Sequence, residues 1–314
     1  MSERYLVTGG AGFIGANIVE ELVNKGKEVR VIDNLSTGKF ENIEPFLGKI
    51  QFIQGDLRYL NTVSEVIQGI DYVIHQAALP SVPRSVETPI ESNDNNTNGT
   101  LNVLYSAKQA GVKRVVYAAS SSAYGESPTL PKVETMNPDP LSPYAVNKLI
   151  GEYYCSVFSH VYGLETVTLR YFNVFGPKQD PNSYYSAVIP KFIKALLEGK
   201  SPTIFGDGKQ SRDFCYVENV VNANILACTA PEAVGQVINI ACGERITLNE
   251  LYRSLCQILG ISISANYGEP RPGDIKHSLA DIEKAQKLLN YQVLVRVHEG
   301  LEKTALWFKK YYGF

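Results

Sequence analysis

The sequence predicts an α/β protein built on a doubly wound parallel sheet, with a smaller α/β region interleaved with it. Three observations carry this expectation. A glycine-rich turn, Thr8-Gly9-Gly10-Ala11-Gly12-Phe13-Ile14-Gly15, joins a short apolar segment to an amphipathic one. Strand-like and helix-like segments alternate after it, the pattern of parallel pairing through right-handed crossovers. Beyond about Arg170 that rhythm breaks and turn dipeptides such as Gly176-Pro177 and Asp180-Pro181 become dense.

Arg4–Thr8 reads as the first strand. Phe13, Ile14, Ile18, Val19, Leu22 and Val23 recur at helical spacing, so the helix after the turn is expected over Phe13–Lys25. Glu28–Asp33, Lys49–Ile53, Asp71–His75 and Arg114–Ala118 follow as strands. Thr100–Ala110 reads as a helix stopped by Gly111. Later helices are expected at Val188–Leu197, Glu218–Cys228, Leu248–Leu259 and Ile282–Leu289. The division predicted is residues 1–172 with about 214–243 for the sheet-bearing domain, and about 173–213 with 244–314 for the smaller one. No Ser/Gly linker or internal repeat separates the two.

Composition removes several function classes. The chain of 314 residues is 44% hydrophobic and 20% charged, enough to bury a full core. Its formal net charge is −2, which does not favour nucleic acid or an anionic membrane as partner. No stretch approaches the ~20 apolar residues of a membrane span. Met1 leads directly into a strand, so a cytoplasmic protein without a signal segment is expected. The five cysteines are scattered and never form C-x-x-C, and the four histidines show no ligand spacing. Buried free thiols and no metal are expected.

The turn points to a dinucleotide. Glycine is needed where the chain turns tightly and where backbone must approach a pyrophosphate. The helix amino terminus then offers free N–H groups and a partial positive charge. Two spacings fit, Gly10-Gly12-Gly15 and the looser Gly9-Gly12-Gly15. Asp33 ends the second strand 18 positions beyond Gly15, where a carboxylate accepts hydrogen bonds from the adenosine ribose and repels a 2′-phosphate. The residues after it, Asn34, Leu35 and Ser36, include no arginine, so NAD is favoured over NADP. Asp56 and Leu57, after the third strand, are placed to meet the adenine. The competing role for Asp56 is a turn or helix-cap carboxylate.

Tyr144 and Lys148, at i and i+4, share a helix face, and Ser142-Pro143 is a helix-start signature. A tyrosine's ordinary pKa of about 10 makes it a poor base near neutrality. An ammonium at ~5 Å, at an effective dielectric of ~20, contributes about 3 kcal/mol, or roughly two pKa units. The phenolate then becomes accessible as a base. Alone, such a pair is equally a solvated helix face. The glycine turn upstream favours the reactive reading.

These motifs and others resemble the extended short-chain dehydrogenase/reductase superfamily and, within it, the UDP-hexose 4-epimerases. The resemblance spans the chain: TGGAGFIG at 8–15, DNLSTG at 33–38, HQAAL at 75–79, NNTNGT at 95–100, SSSAYG at 120–125, SPYAVNK at 142–148, RYFNVFGP at 170–177, SRDFCYVENV at 211–220 and RPGDIKHSLAD at 271–281. It implies a Rossmann sheet, a tightly held NAD and a UDP-sugar substrate. It also implies a homodimer with a four-helix contact and a setting such as polysaccharide biosynthesis. Leu101, Leu104 and Tyr105 on one helix, with Leu149, Tyr153 and Val157 on another, are the candidate contact residues.

The resemblance also assigns roles. Tyr144 would be the base and Lys148 its helper, with Ser120 bridging the sugar O4 and the tyrosine. Gly9, Gly12, Phe13, Ile14, Gly15, Asp33, Asn34, Asp56 and Leu57 would bind the dinucleotide, with Ala77 and Ala78 lining it. Asn95 would brace the central strands near the cofactor, and Tyr171 would sit by the nicotinamide. Ser81, Ser121 and Ser122 would join Ser120 on the sugar side. Asn173, Arg212 and Arg271 would hold the diphosphate, and Asp274 the uridine ribose. Thr203 and Phe205 would flank the uracil, with Val188 and Lys191 in the substrate loop.

Two choices stay open. Nucleotide-sugar dehydratases and UDP-glucuronate decarboxylases begin with the same C4 oxidation, but they carry an acid beside the bridging residue, where this chain has Ser121 and Ser122. A non-catalytic NAD sensor on the same fold is disfavoured because Tyr144, Lys148 and Ser120 are all present. For the sugar, Ser278 stands where enzymes confined to plain hexoses often carry a bulky tyrosine. UDP-GlcNAc/UDP-GalNAc interconversion is therefore the first expectation, with UDP-Glc/UDP-Gal as a further pair. UDP-GlcNAcA/UDP-GalNAcA is the alternative.

Overall fold

The structure, a computed structural model, describes residues 3–181, 187–270 and 276–314. Six strands in chain order, β1 (Arg4–Thr8), β2 (Glu28–Asp33), β3 (Ile50–Gln54), β4 (Tyr72–His75), β5 (Arg114–Ser120) and β6 (Glu165–Tyr171), join Val237–Ile240 in one parallel sheet. The spatial order is β3-β2-β1-β4-β5-β6, with Val237–Ile240 outside β6. The order reverses between β1 and β4, and at such a switch point the strand ends open a crevice. Register aligns those ends. Thr8 lies opposite both Ile32 and His75, and Ser120 lies opposite Tyr171.

Strand side chains alternate between the two faces. Tyr5, Val7, Val116 and Ala118 enter one buried cluster, while Leu6, Val115, Tyr117 and Ala119 enter another. Both faces are covered, which is why the strands read as near-continuous apolar runs.

Several boundaries differ from expectation. β5 runs two residues past Ala118 and so carries Ser120 on its last position. β6 was not anticipated. Its Thr-Val-Thr-Leu-Arg-Tyr alternation includes a buried arginine, which disguises a buried strand. The Tyr144 helix runs over Pro143–Tyr162 and ends on Gly163 in the left-handed region. A final helix, Val297–Tyr312, also escaped the periodicity reading.

The smaller region is held by three two-stranded pairings. Val174–Phe175 pairs with Cys215–Tyr216, Ser211–Arg212 with Ile246–Thr247, and Thr203–Phe205 with Asn266–Gly268. Asp213 pins it to the sheet side. Its carboxylate accepts the N–H groups of Cys242, Gly243 and Ala280. Burial pushes this carboxyl up to about 6, against the pull of those N–H groups. The cysteines are free thiols, four buried and Cys256 half-buried. Among the described residues, no helix is long and apolar enough to cross a membrane.

Candidate active site

A cleft of about 1080 Å³ opens at the carboxyl ends of the strands. That exceeds the ~300–1,000 Å³ of ordinary small-ligand sites and suits an extended dinucleotide. Gly9, Gly12, Phe13, Ile14, Gly15, Asp33, Asn34, Asp56, Leu57, Ala77, Ala78, Asn95, Tyr144, Lys148 and Tyr171 all line it, with Ser81. The structure separates the two glycine spacings. A Cβ on Gly15 would stand 2.2 Å from the Gly9 carbonyl oxygen, and one on Gly9, where φ is +66°, 2.7 Å from the Ala77 backbone. Gly10 instead packs against Val31 in the core and does not line the cleft. Of the two spacings, Gly9-Gly12-Gly15 is therefore the one that faces the cleft. The helix that follows has no side-chain cap, which leaves its first N–H groups for an anion.

At the adenosine end the buried Asp33 accepts the N–H groups of Ala11 and Leu35 and keeps lone pairs for ribose hydroxyls. Asp56 is bound by the Arg58 guanidinium and by Asn34. The Arg58 hydrogen bonds hold its carboxyl down at about 2. It thus clamps a loop as well as facing the cleft. Thr37, Gly38 and Lys39 line the same end and were not singled out from the sequence. A Cβ on Gly38 would lie 2.8 Å from an Asp33 carboxylate oxygen, so small size is what that position requires. The dinucleotide assigned from the turn fits these groups.

Asn95 lines the cleft but does not brace the strands, because its amide donates to Glu91 in its own helical turn. The brace is the next residue. Asn96 is buried and holds both the N–H and the carbonyl of Leu79 after β4. Adjacent asparagines at 95 and 96 make that one-residue slip invisible in sequence. Tyr171 is fixed by Gln76 and Asn224, and Gln76 was also missed.

The reactive pair departs from expectation in one respect. Lys148 is buried and donates to the Ala118 carbonyl at 2.8 Å. Burial pulls its ammonium down to about 8, while Glu152 holds it up. Tyr144 is raised above its ordinary pKa by burial, and the Ser120 hydroxyl works in the opposite direction. The lowering expected from Lys148 by spacing is not among the influences on Tyr144 here, where burial prevails and the ammonium is turned to the Ala118 carbonyl.

Ser120 accepts two hydrogen bonds from Ser122, one from its N–H at 3.1 Å and one from its hydroxyl at 2.9 Å. A hydroxyl has two acceptor sites and one proton. With both sites filled, Ser120 is left as a donor, which is the role that favours a Tyr144 phenolate. Ser120, Ser121 and Ser122 are half-buried beside Tyr144 and are not among the residues lining the cleft.

A second cavity, of about 590 Å³, adjoins the first, and Ala187 lines both. It contains Asn173, Val188, Lys191, Thr203, Phe205 and Arg212, which sequence had assigned to substrate. Phe175, Phe192, Gln210 and Phe214 join them and were missed. Among the described residues its lining carries Lys191 and Arg212 and no carboxylate, beside several aromatic and apolar side chains, a set suited to an anion with an apolar or aromatic part. Asn173 adopts φ +31° and donates to the Asp213 carbonyl. Leu35, Ser81 and Lys178 also have positive φ in the loops around the cleft. Such strain gathers at functional sites. Ser278 is half-buried, donates its N–H to Ser211, and lines neither cavity. Arg271 and Asp274 lie outside the described residues.

Comparison with known proteins agrees with this geometry. Residues 5–241 match the NAD dependent epimerase/dehydratase family. A UDP-N-acetylglucosamine 4-epimerase from Methanobrevibacter ruminantium M1, solved with UDP-N-acetylmuramic acid, is 43% identical with a TM-score of 0.94, over 99% of this chain and 100% of that one. A UDP-glucose 4-epimerase from Thermotoga maritima, solved with UDP-glucose, is 37% identical with a TM-score of 0.94, over 98% and 99%. A UDP-glucuronate 4-epimerase from Thermodesulfobacterium geofontis is 37% identical over 98% of this chain and 96% of that protein. By these likenesses over nearly its whole length, with a Tyr-Lys pair beside a serine at a cleft that suits a dinucleotide, the chain belongs to the NAD dependent epimerase/dehydratase family, on the branch of its UDP-sugar 4-epimerases.

Proposed function

We propose that this epimerase interconverts UDP-GlcNAc and UDP-GalNAc, with UDP-Glc and UDP-Gal as a secondary pair, and that it works as a homodimer. The carrying observation is the chemistry beside Ser120. Its neighbours are the hydroxyls of Ser121 and Ser122, with no carboxylic acid in that turn. Eliminating water across C5–C6 of a 4-keto sugar needs a proton donor there. Without one in that turn, returning the hydride to the keto sugar is favoured over eliminating water.

NAD, when bound in the cleft, supplies the hydride acceptor and returns the hydride. The protein's part follows from position. Tyr144 takes the O4 proton, with the Ser120 proton aimed at the phenolate and Lys148 beneath the pair. Arg212, Lys191 and Asn173 hold the diphosphate while the keto sugar turns over. The proton then returns to the opposite face. Orientation is the main contribution, since reaction needs the sugar C4 near the hydride acceptor on either face.

The N-acetylated sugar is supported by the likeness to a UDP-N-acetylglucosamine 4-epimerase; Ser278, which lines neither cavity, supports it only through its place in the family pattern. The uronic pair UDP-GlcNAcA/UDP-GalNAcA is the second reading, favoured by the likeness to a UDP-glucuronate 4-epimerase and by the Ser121 hydroxyl in the turn after Ser120. The test is to supply UDP-Glc, UDP-GlcNAc and UDP-GlcNAcA separately and compare initial rates and product stereochemistry. UDP-GlcNAc should turn over fastest. Ser278→Tyr should cut the rate on UDP-GlcNAc about tenfold more than on UDP-Glc, in line with the size discrimination one pocket can supply. Equal losses would refute the size argument.

A further inference from the structure

The mechanism leaves one buried ion pair unused. Glu152 lies on the Tyr144 helix, one turn beyond Lys148, so Tyr144, Lys148 and Glu152 follow at i, i+4 and i+8 on one face. It is 3% exposed and receives a two-pronged hydrogen bond from Arg170 of β6, at 2.9 and 2.7 Å. Arg170 is equally buried. Its guanidinium lies 4.7 Å over the Tyr124 ring, and among the described residues its Nη1 has no hydrogen-bond partner. Burying two charges is expensive, and replacing such a pair by apolar side chains is often neutral or stabilising. Stability is therefore a weak reason for it to exist here.

Lys148 supplies a better one. Its ammonium is buried and bonded to one neutral carbonyl, Ala118. The groups packed around it supply little compensating charge. On β4, His75 is held neutral by burial, its pKa near 3. On β5, the Tyr117 ring centroid lies 5.2 Å from Nζ. On its own helix, burial pushes the Cys155 thiol up to about 12, and Tyr144 is the proton acceptor itself. From β6, Arg170 acts on Glu152, as Lys148 does from the other side of the same turn of helix. The helices Val82–Glu87 and Pro89–Asn93 and the turn Asp94–Asn98 also pack on this helix and carry Glu87, Glu91 and Asp94, but among the described residues Glu152 is the carboxylate that favours the ammonium.

We infer that Glu152, locked by Arg170, is a positioning residue that keeps Lys148 cationic at working pH and so sets the alkaline limit of catalysis. Arg170 fixes where the carboxylate sits. Burial works against the guanidinium, but the Glu152 hydrogen bonds carry it above its ordinary value. Burial likewise raises the Glu152 carboxyl, against the pull of Arg170. The sign for Lys148 follows. Its ammonium is lost as pH rises through about 8, and removing a negative charge one turn away moves that loss to lower pH. The shift should be on the order of one pH unit, or tenfold in ammonium population above the limit.

The inference rests on the Tyr144–Lys148 pair being the reactive one, so the experiment separates the two claims. In lysine-labelled protein, the Lys148 side-chain resonance is identified by its absence from Lys148→Arg and followed against pH by NMR. The pH dependence of turnover is measured on the same samples. In Glu152→Gln the resonance should titrate about one unit lower, and the alkaline limb of kcat should move with it. Because Glu152→Gln strands the Arg170 charge, the double variant Glu152→Gln/Arg170→Met serves as the second test, with both charges removed. It should show the same direction of shift. An unmoved Lys148 titration in these folded variants overturns the inference, whatever happens to the rate. A shifted titration with an unmoved limb overturns its catalytic part and points instead at the role given to Lys148.

Discussion

Ser122 shows how much a single hydroxyl can decide. Its N–H and O–H fill both acceptor sites of Ser120, so Ser120 can only give its proton. A relay in which Ser120 receives the O4 proton would first require Ser122 to let go. Direct proton transfer to Tyr144 needs no such rearrangement. Ser122→Ala should therefore lower kcat by roughly two- to tenfold, the worth of one hydrogen bond, with little change in KM. Ser122→Thr, which keeps the hydroxyl, should restore it. Steady-state rates on the two variants check this, and equal loss in both would show that the hydroxyl is not what matters. Spacing and the glycine turn pointed to Tyr144 and Lys148, and the family resemblance added Ser120. The hydrogen-bond direction was not legible, because it depends on where Ser122 sits in the turn after β5. Nor was the raised Tyr144, since desolvation depends on the whole cleft.

At the scale of elements, the Tyr144 helix works because it approaches the sheet closely. Gly151 makes that possible. A Cβ there would lie 2.2 Å from the Tyr117 hydroxyl, and that hydroxyl donates to the Lys148 carbonyl. Tyr117 is 1% exposed and has little room to retreat. Gly151→Ala should destabilise the fold by about 1–3 kcal/mol as overpacking does, although alanine is the better helix former. It should also lower kcat by displacing Tyr144 and Lys148 together. Thermal unfolding with rate measurements tests this, and an unchanged or higher Tm would refute it. Elements with one clear period were readable in advance. Val188–Leu197 and Leu248–Leu259 fall where the spacing placed them. β6 was not readable, since the buried Arg170 interrupts its apolar pattern and only the Glu152 partner explains it. The slip between Asn95 and Asn96 has a related cause. That segment, Asp94–Asn98, is wound as a π-helix, so which of the adjacent asparagines faces the strands is set by the local winding and not by the motif.

For the whole molecule, the remaining feature is an outward apolar stripe. Of the contact residues expected from sequence, Leu104 and Leu149 point into the core and Leu101 packs partly against it. Tyr105, Tyr153 and Val157 are exposed, and Val146 and Val161 extend the same face of the Tyr144 helix. The helix Gly99–Gln109 packs beside it. Contiguous exposed apolar residues on two neighbouring helices mark an interaction surface more often than a bare face. A second copy meeting it about a two-fold axis would bring four helices together, with Tyr153 and Val157 at the centre. Such a contact would brace the helix that carries Tyr144, Lys148 and Glu152 from its outer side, while Gly151 seats it on the sheet. Light scattering at micromolar concentration should give twice the mass of the 34.7 kDa chain. Val157→Asp/Val161→Asp should give single chains that still fold, because neither side chain is in the core. A wild-type protein that scatters as a single chain, or a variant that keeps the doubled mass, would remove this stripe as the interface.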